Sequence, residues 1–207
     1  MRALDLDYML GLVPVILGYV PLTLFMAGAG MVLALILGAL LAVERVAKVP
    51  LLVQLFLFYF GLPQILPSLT QIDGVTAAIM GLTLHFSAYM AESIRAAIVG
   101  VDRSQWEAAQ SIGMTQGQMM WRIILPQAAR VAAPTLVNYF IDMIKGTSLA
   151  FTLGVTEMMG AAQKEAAGSF LYFEAFLVVA IIYWVIVEIL SQGQKRLETH
   201  LNKAFVR

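Results

Sequence analysis

Asp142 and Lys145 stand three residues apart in an otherwise apolar stretch, a spacing that puts two side chains on one face of a helix. In a low-dielectric setting they could neutralise each other, or meet the carboxylate and ammonium of a zwitterion. Either use requires that face to point into a helix bundle or a wet cavity, because a bare charge there is costly. Both readings stay open: a self-satisfied ion pair that fixes packing, or a pair lining a path. Covalent chemistry has less to stand on. The chain has no cysteine, which removes disulfides, thiolate nucleophiles and sulfur-ligated metal, and only His85 and His200 offer imidazole. His85, between Leu84 and Phe86, reads as a packed residue hydrogen-bonded to a neighbouring helix. No H-E-x-x-H pair, no G-x-S-x-G turn and no G-x-x-x-x-G-K-[ST] phosphate loop occurs. No catalytic residue, metal site or cofactor bound by this chain is expected.

The elements that must position those charges are membrane helices. Of the 207 residues, 60% are hydrophobic and 13% charged, with a mean hydropathy of +0.83, outside the range of a soluble domain. Uncharged stretches run over 8–43, 49–72 and 74–91, and each can supply the roughly 20 apolar residues that cross a hydrocarbon core. Two further spans fall at about 132–152 and 171–191, the first interrupted by Asp142 and Lys145, the second flanked by Glu174 and Glu188. The expected fold is an all-α membrane protein of about five transmembrane helices, a single domain over 1–207. Asp5 and Asp7 before the first span, with only Arg2, do not read as a signal peptide. Gly61, Pro63 and Pro67 predict a kinked second span, and Gly28 and Gly38 predict close packing of the first. Tyr172, Phe173 and Phe176 read as an interfacial aromatic belt, and Glu92 with Arg95 as an interfacial pair ending the third helix.

One polar stretch stands apart. Ser104 with Glu107, and Thr115 with Gln118, have the spacing of helix capping boxes, and Gly113 falls where a helix stops in a left-handed residue. Helices over 105–112 and about 116–130 are predicted, bent against each other into a knob over about 101–131. Glu107 is either a cap or a contact residue.

Glu107-Ala108-Ala109, then Gly113, then Ile123, Leu125 and Pro126 form the pattern E-A-A, three residues, G, nine residues, I-x-L-P. It resembles the cytoplasmic coupling loop of permease subunits in bacterial ATP-binding-cassette importers. Tyr89-Met90-Ala91-Glu92, Gln105-Trp106, Leu125-Pro126-Gln127-Ala128, Lys145 with Thr147-Ser148-Leu149, Pro50-Leu51-Leu52-Val53-Gln54 and Tyr59-Phe60-Gly61-Leu62-Pro63 are similar to its polar amino acid uptake branch. The resemblance covers about 19–207.

It implies that the chain is not an enzyme but a transport subunit, with ATP on a partner. The hairpin would sit in a groove of the ATPase subunit, with Ala108 and Ala109 allowing close approach, Gly113 the bend, and Ile123 with Leu125 an apolar anchor. Asp142, Lys145, Thr147 and Ser148 become candidates for the substrate path. The implied partners are two ATP-binding-cassette subunits, an extracytoplasmic substrate-binding protein, a second permease subunit (a copy or a similar chain) and the lipid bilayer. The segment from Thr152 to Ala204 looks most like permeases for cystine or related amino acids. With the loop cytoplasmic and five spans, the N-terminus lies outside and the C-terminus inside. Arg45, Lys48, Arg95, Arg103, Arg122, Arg130, Lys195, Arg196, Lys203 and Arg207 are then cytoplasmic, Arg2 and Lys164 outside. The basic residues lack the aromatic interleaving of a nucleic-acid surface, so no nucleic acid partner is expected. The alternative function is a secondary carrier or channel not driven by ATP, for which a broken helix and an intramembrane ion pair also fit. Two departures stand out. Relatives often carry an acidic residue directly after the lysine, where this chain has Gly146. They also carry an amphipathic stretch where only 44–49 separates Val43 from Pro50.

Overall fold

Proline and glycine decide where these helices stop and bend. In the computed structural model, residues 4–40 and 49–202 are described, and among them the fold is all-α, with no strand. The unusually short connection at 44–49 lies almost wholly outside the described residues.

The 8–43 stretch is two helices rather than one span, α1 (Leu6–Leu17) and α2 (Val20–Leu40). Pro21 has no N–H and its ring crowds the carbonyl four residues back, and the chain breaks between α1 and α2 just ahead of it. At 12 residues α1 is too short to cross a bilayer, and it lies against the last helix. The second expected span is kinked as predicted. α3 (Leu51–Phe56) passes through a π turn (Leu57–Gly61) into α4 (Leu62–Ile65), and a 3-10 turn at Pro67–Leu69 closes it. α5 (Gly74–Val99) is capped by Asp73, whose carboxylate accepts from the Thr76 N–H at 2.8 Å, and it forms the centre of the bundle against α2, α3 and the later helix at Leu125–Gly146.

The hairpin follows. α6 (Arg103–Ser111) begins at Asp102, whose carboxylate accepts from the Ser104 N–H at 2.8 Å. The predicted Ser104–Glu107 box is therefore absent: the helix starts two residues earlier, and Glu107 pairs with Arg103 at 3.1 Å instead. The Thr115–Gln118 box is present, opening α7 (Gln116–Met119), and Gly113 takes the left-handed turn at φ 76°.

The second hairpin helix does not end near residue 130. A π turn (Met120–Ile124) leads straight into α8 (Leu125–Gly146), which continues as a 3-10 helix (Thr147–Leu153). Pro126 directly follows the residue that closes this π turn, just as Pro63 follows the one in the second span. A wider turn is one way a helix passes a proline without breaking. Then come α9 (Met158–Ser169), which the sequence reading did not anticipate, and α10 (Tyr172–Asn202), longer than the expected 171–191.

Val20–Gly38, Gly74–Val99 and Tyr172–Leu201 are long and apolar enough to cross a membrane; α8 carries Arg130, Asp142 and Lys145, and Leu51–Ile65 is shorter. Ala27 and Ala34 of α2, Leu82, Phe86 and Met90 of α5, and Met143 and Ile144 of α8 form the central core. Leu12 and Ile16 of α1 pack with α9 and α10 in a second. Phe25, Val32, Ile36, Phe60, Trp184 and Ile189 point outward, a surface that lipid or another subunit must cover.

Of the two glycines expected to pack closely, only Gly38 does so. A Cβ there would sit 2.8 Å from the Ser87 carbonyl oxygen of α5, whereas at Gly28 nothing lies within 4 Å. Gly38→Ala should therefore cost about 1–3 kcal/mol of overpacking and lower the melting temperature in nanodiscs, while Gly28→Ala leaves it unchanged or raises it. The Asp102 carboxyl is held below its ordinary value by the Ser104 backbone N–H. A depressed folded-state value contributes stability above the unfolded value and loses it as pH falls through the folded one. Amide-exchange protection of α6 should thus weaken below the ordinary carboxylate range, and Asp102→Ala should remove that pH dependence.

Candidate functional site

The hairpin holds itself together with a small apolar centre. Ala109, Met119 and Ile124 are buried against one another, with Ile98, Val101, Trp106, Met114, Met120 and Ile123 packed around them. Ile124 is the residue fully buried here, and the expected anchors Ile123 and Leu125 are half-buried, Ile123 packing against the cluster. The π turn adds a residue to the helix and shifts its phase, so that Ile123 sits at the edge of this cluster and Leu125 is half-buried beyond it. Ala109 faces inward, where a larger side chain would separate the two helices; Ala108 faces out, as do Glu107, Gly113 and Pro126. Ile112 and Trp121 are 75% and 74% exposed on the same knob. The sequence reading passed over both, although a tryptophan and an isoleucine in a polar hairpin are the signal of an apolar contact surface.

At the far end of α8, Lys145 Nζ lies 2.6 Å from Asp142 Oδ1, and the two side chains are 54% and 51% exposed. The pair faces the outside of the single chain, not the interior of its bundle. Lys145 and Ser148 line a groove of about 350 Å³ together with Met159, Phe176, Val179, Ala180 and Tyr183. Phe176, expected in an interfacial belt, belongs to this wall; Phe173 remains exposed. The structure separates Thr147 from Ser148: Thr147 is fully buried, with its hydroxyl donating to the Ile144 carbonyl at 2.7 Å, whereas Ser148 stays at the groove and donates to the Lys145 carbonyl at 2.7 Å.

Behind the groove sits a residue that sequence reasoning missed. Glu157 caps α9, accepting the Gly160 N–H at 2.9 Å, and is fully buried. Its other oxygen accepts from the Tyr183 hydroxyl at 2.9 Å and from Thr23 at 3.4 Å. A lone glutamate in Gly154-Val155-Thr156-Glu157-Met158-Met159 was the available signal. His85 is where expected, packed between helices with its Nδ1 3.1 Å from the Gln54 amide nitrogen of α3. Glu92 and Arg95 form the expected ion pair at the end of α5. Among the described residues no cluster of three or more histidine or acidic side chains could hold a metal ion.

Comparison with known proteins gives this geometry a family. Residues 42–203 match the binding-protein-dependent transport system inner membrane component. The chain is 58% identical to the probable amino-acid ABC transporter permease protein PatM of Vibrio harveyi, over 98% of this chain and 99% of that one. That alignment runs over 220 positions, more than the 207 residues here, so the relative holds residues this chain lacks. The chain is 38% identical to the L-cystine transport system permease protein TcyB of Bacillus subtilis, over 89% of this chain and 83% of that one. A crystal structure of an amino acid ABC transporter with histidines superposes with a TM-score of 0.89 at 30% identity, covering 96% of this chain and all of that one. An ATP-independent carrier or channel is set aside by these matches. The chain belongs to the family of binding-protein-dependent transport system inner membrane components, as a permease subunit of an ATP-binding-cassette importer whose ATP hydrolysis resides on a separate subunit.

Proposed function

We propose that this permease subunit moves a polar amino acid inward across the cytoplasmic membrane, with cystine or a related amino acid as its cargo. The supporting observation is the unbroken helical path from the hairpin to Lys145: α7, the π turn and α8 are one body. ATP bound by two cassette subunits closes them on each other. Glu107, Ala108, Ile112, Gly113 and Trp121 form the surface they grip, and the pull reaches Lys145, Ser148 and Asp142 along α8. The groove turns from facing the cytoplasm to facing outward, where an extracytoplasmic binding protein delivers the substrate. This chain itself holds no cofactor.

The half-exposure of Lys145 and Asp142 supports a second subunit, either a copy of this chain or a similar one. Two charges turned toward lipid would be expensive, whereas a water-filled path shared by two subunits solvates them. A lysine next to an aspartate also suits a zwitterion, since Nζ can meet the substrate carboxylate while Asp142 holds the lysine in place. The N-terminus lies outside and the C-terminus in the cytoplasm, which keeps Arg103, Arg122, Arg130, Lys195 and Arg196 on the cytoplasmic side.

The test is uptake of labelled cystine and glutamine into proteoliposomes holding the permease with its cassette and binding-protein partners. Lys145→Met should lower uptake about tenfold or more, the worth of a charge-assisted hydrogen bond, while basal ATP hydrolysis persists. Unchanged uptake in that variant contradicts the assigned path.

A further inference from the structure

Two hydroxyl-bearing residues line the groove, Ser148 and Tyr183, and both hydroxyls have spent their protons. Ser148 donates to the Lys145 carbonyl at 2.7 Å, and Tyr183 donates to the buried Glu157 carboxylate at 2.9 Å. A phenol has one proton, so with that proton held by Glu157 its oxygen can only accept. Thr147 reaches Tyr183 from the bundle side but spends its own proton on the Ile144 carbonyl. Tyr183, Thr23 and the Gly160 N–H all donate to Glu157. Full burial leaves this carboxylate no water to trade them for, so the orientation of the tyrosine proton is locked. Asp142 does not line the groove; its carboxylate sits against Lys145. The groove is therefore lined by a donor, Lys145, and by two acceptors, Ser148 on the adjoining turn and the locked Tyr183, with the apolar side chains of Met159, Phe176 and Val179.

We infer that Tyr183 is a specificity-determining residue that receives the α-ammonium of the substrate amino acid, and that Glu157 is a positioning residue that keeps the tyrosine oxygen free to do so. The inference rests on the reading of the Lys145 groove as the substrate path. Lys145 selects for a carboxylate; Tyr183 selects for a donor beside it and disfavours a molecule with an acceptor or nothing in that place. Thr23 brings α2 into the same network, so the acceptor is braced by three helices.

The test is equilibrium binding to the permease with its cassette subunits in nanodiscs, without the binding protein, so that selection by the permease alone is read. The probes are L-cystine and its deaminated analogue dithiodipropionate, with L-glutamine and glutaramate as a second pair. The wild-type complex should prefer the amino form about tenfold, as a hydrogen bond to a charged group allows. Tyr183→Phe should narrow that ratio to about twofold or less at an unchanged melting temperature. Glu157→Gln keeps an acceptor but loses the charge, and should fall between them. Lys145→Met should weaken both forms alike and leave the ratio intact. A ratio unaltered by Tyr183→Phe, or by Glu157→Gln should the first variant fail to assemble, overturns the inference. So does a wild-type complex that shows no preference or binds no probe at millimolar concentration. If Lys145→Met alters binding of neither form, the groove is not the path, and the functional reading itself fails.

Discussion

Everything in this subunit depends on one helix continuing past a proline. Pro126 withholds an N–H and crowds the carbonyl of Arg122, which in a regular helix costs a hydrogen bond and kinks the rod. The π turn at Met120–Ile124 widens the helix just ahead of it, closed by the Leu125 N–H on the Met120 carbonyl. The hairpin, α8 and the 3-10 turn carrying Ser148 then form one continuous body, with α8 alone spanning about 33 Å at 1.5 Å per residue. A packed helix transmits displacement because its interior does not compress. A broken one would let the knob swing while the groove stayed still.

The two ends of that rod solve opposite problems. At the hairpin, caps and a left-handed glycine fix the shape, and Ala109, Met119 and Ile124 supply a core small enough to leave Ile112 and Trp121 outward. At the groove, charge must be kept in an apolar setting. Lys145 and Asp142 do so by pairing on a half-exposed face, and Glu157 does so, against the cost of burial, by accepting donors on both oxygens. A buried carboxylate so fully bonded is costly to rearrange, and it fixes how α2, α9 and α10 meet.

The all-α class, the polar hairpin, its bend at Gly113 and the kink in the second span could be read from hydropathy and from glycine and proline placement. Those signals are local, and the structure follows them. What sequence spacing missed involved phase and distance. A π turn is invisible to a 3.6-residue period, so the fully buried position falls at Ile124, between the expected Ile123 and Leu125, and the helix expected to stop near 130 runs on. Pro14 and Pro21 lie inside a continuous apolar run, and hydropathy alone does not separate α1 from α2. Glu157 lay between the spans that hydropathy picks out, and its partners Thr23 and Tyr183 are 134 and 26 residues away. Ser104 and Glu107 had the right spacing for a cap, but Asp102, two residues earlier, reached the free N–H groups first.

The central claim is that force applied at the hairpin reaches the groove. The most direct measurement is amino-acid-stimulated ATP hydrolysis in nanodiscs by the assembled complex, comparing the native chain with Glu107→Lys. Glu107 is exposed, and outside its pairing with Arg103 the fold does not depend on it, so the variant should assemble normally. The account predicts stimulation by the transported amino acid in the native complex and its loss in the variant, with basal hydrolysis retained. Equal stimulation in both would show that the hairpin does not carry the coupling.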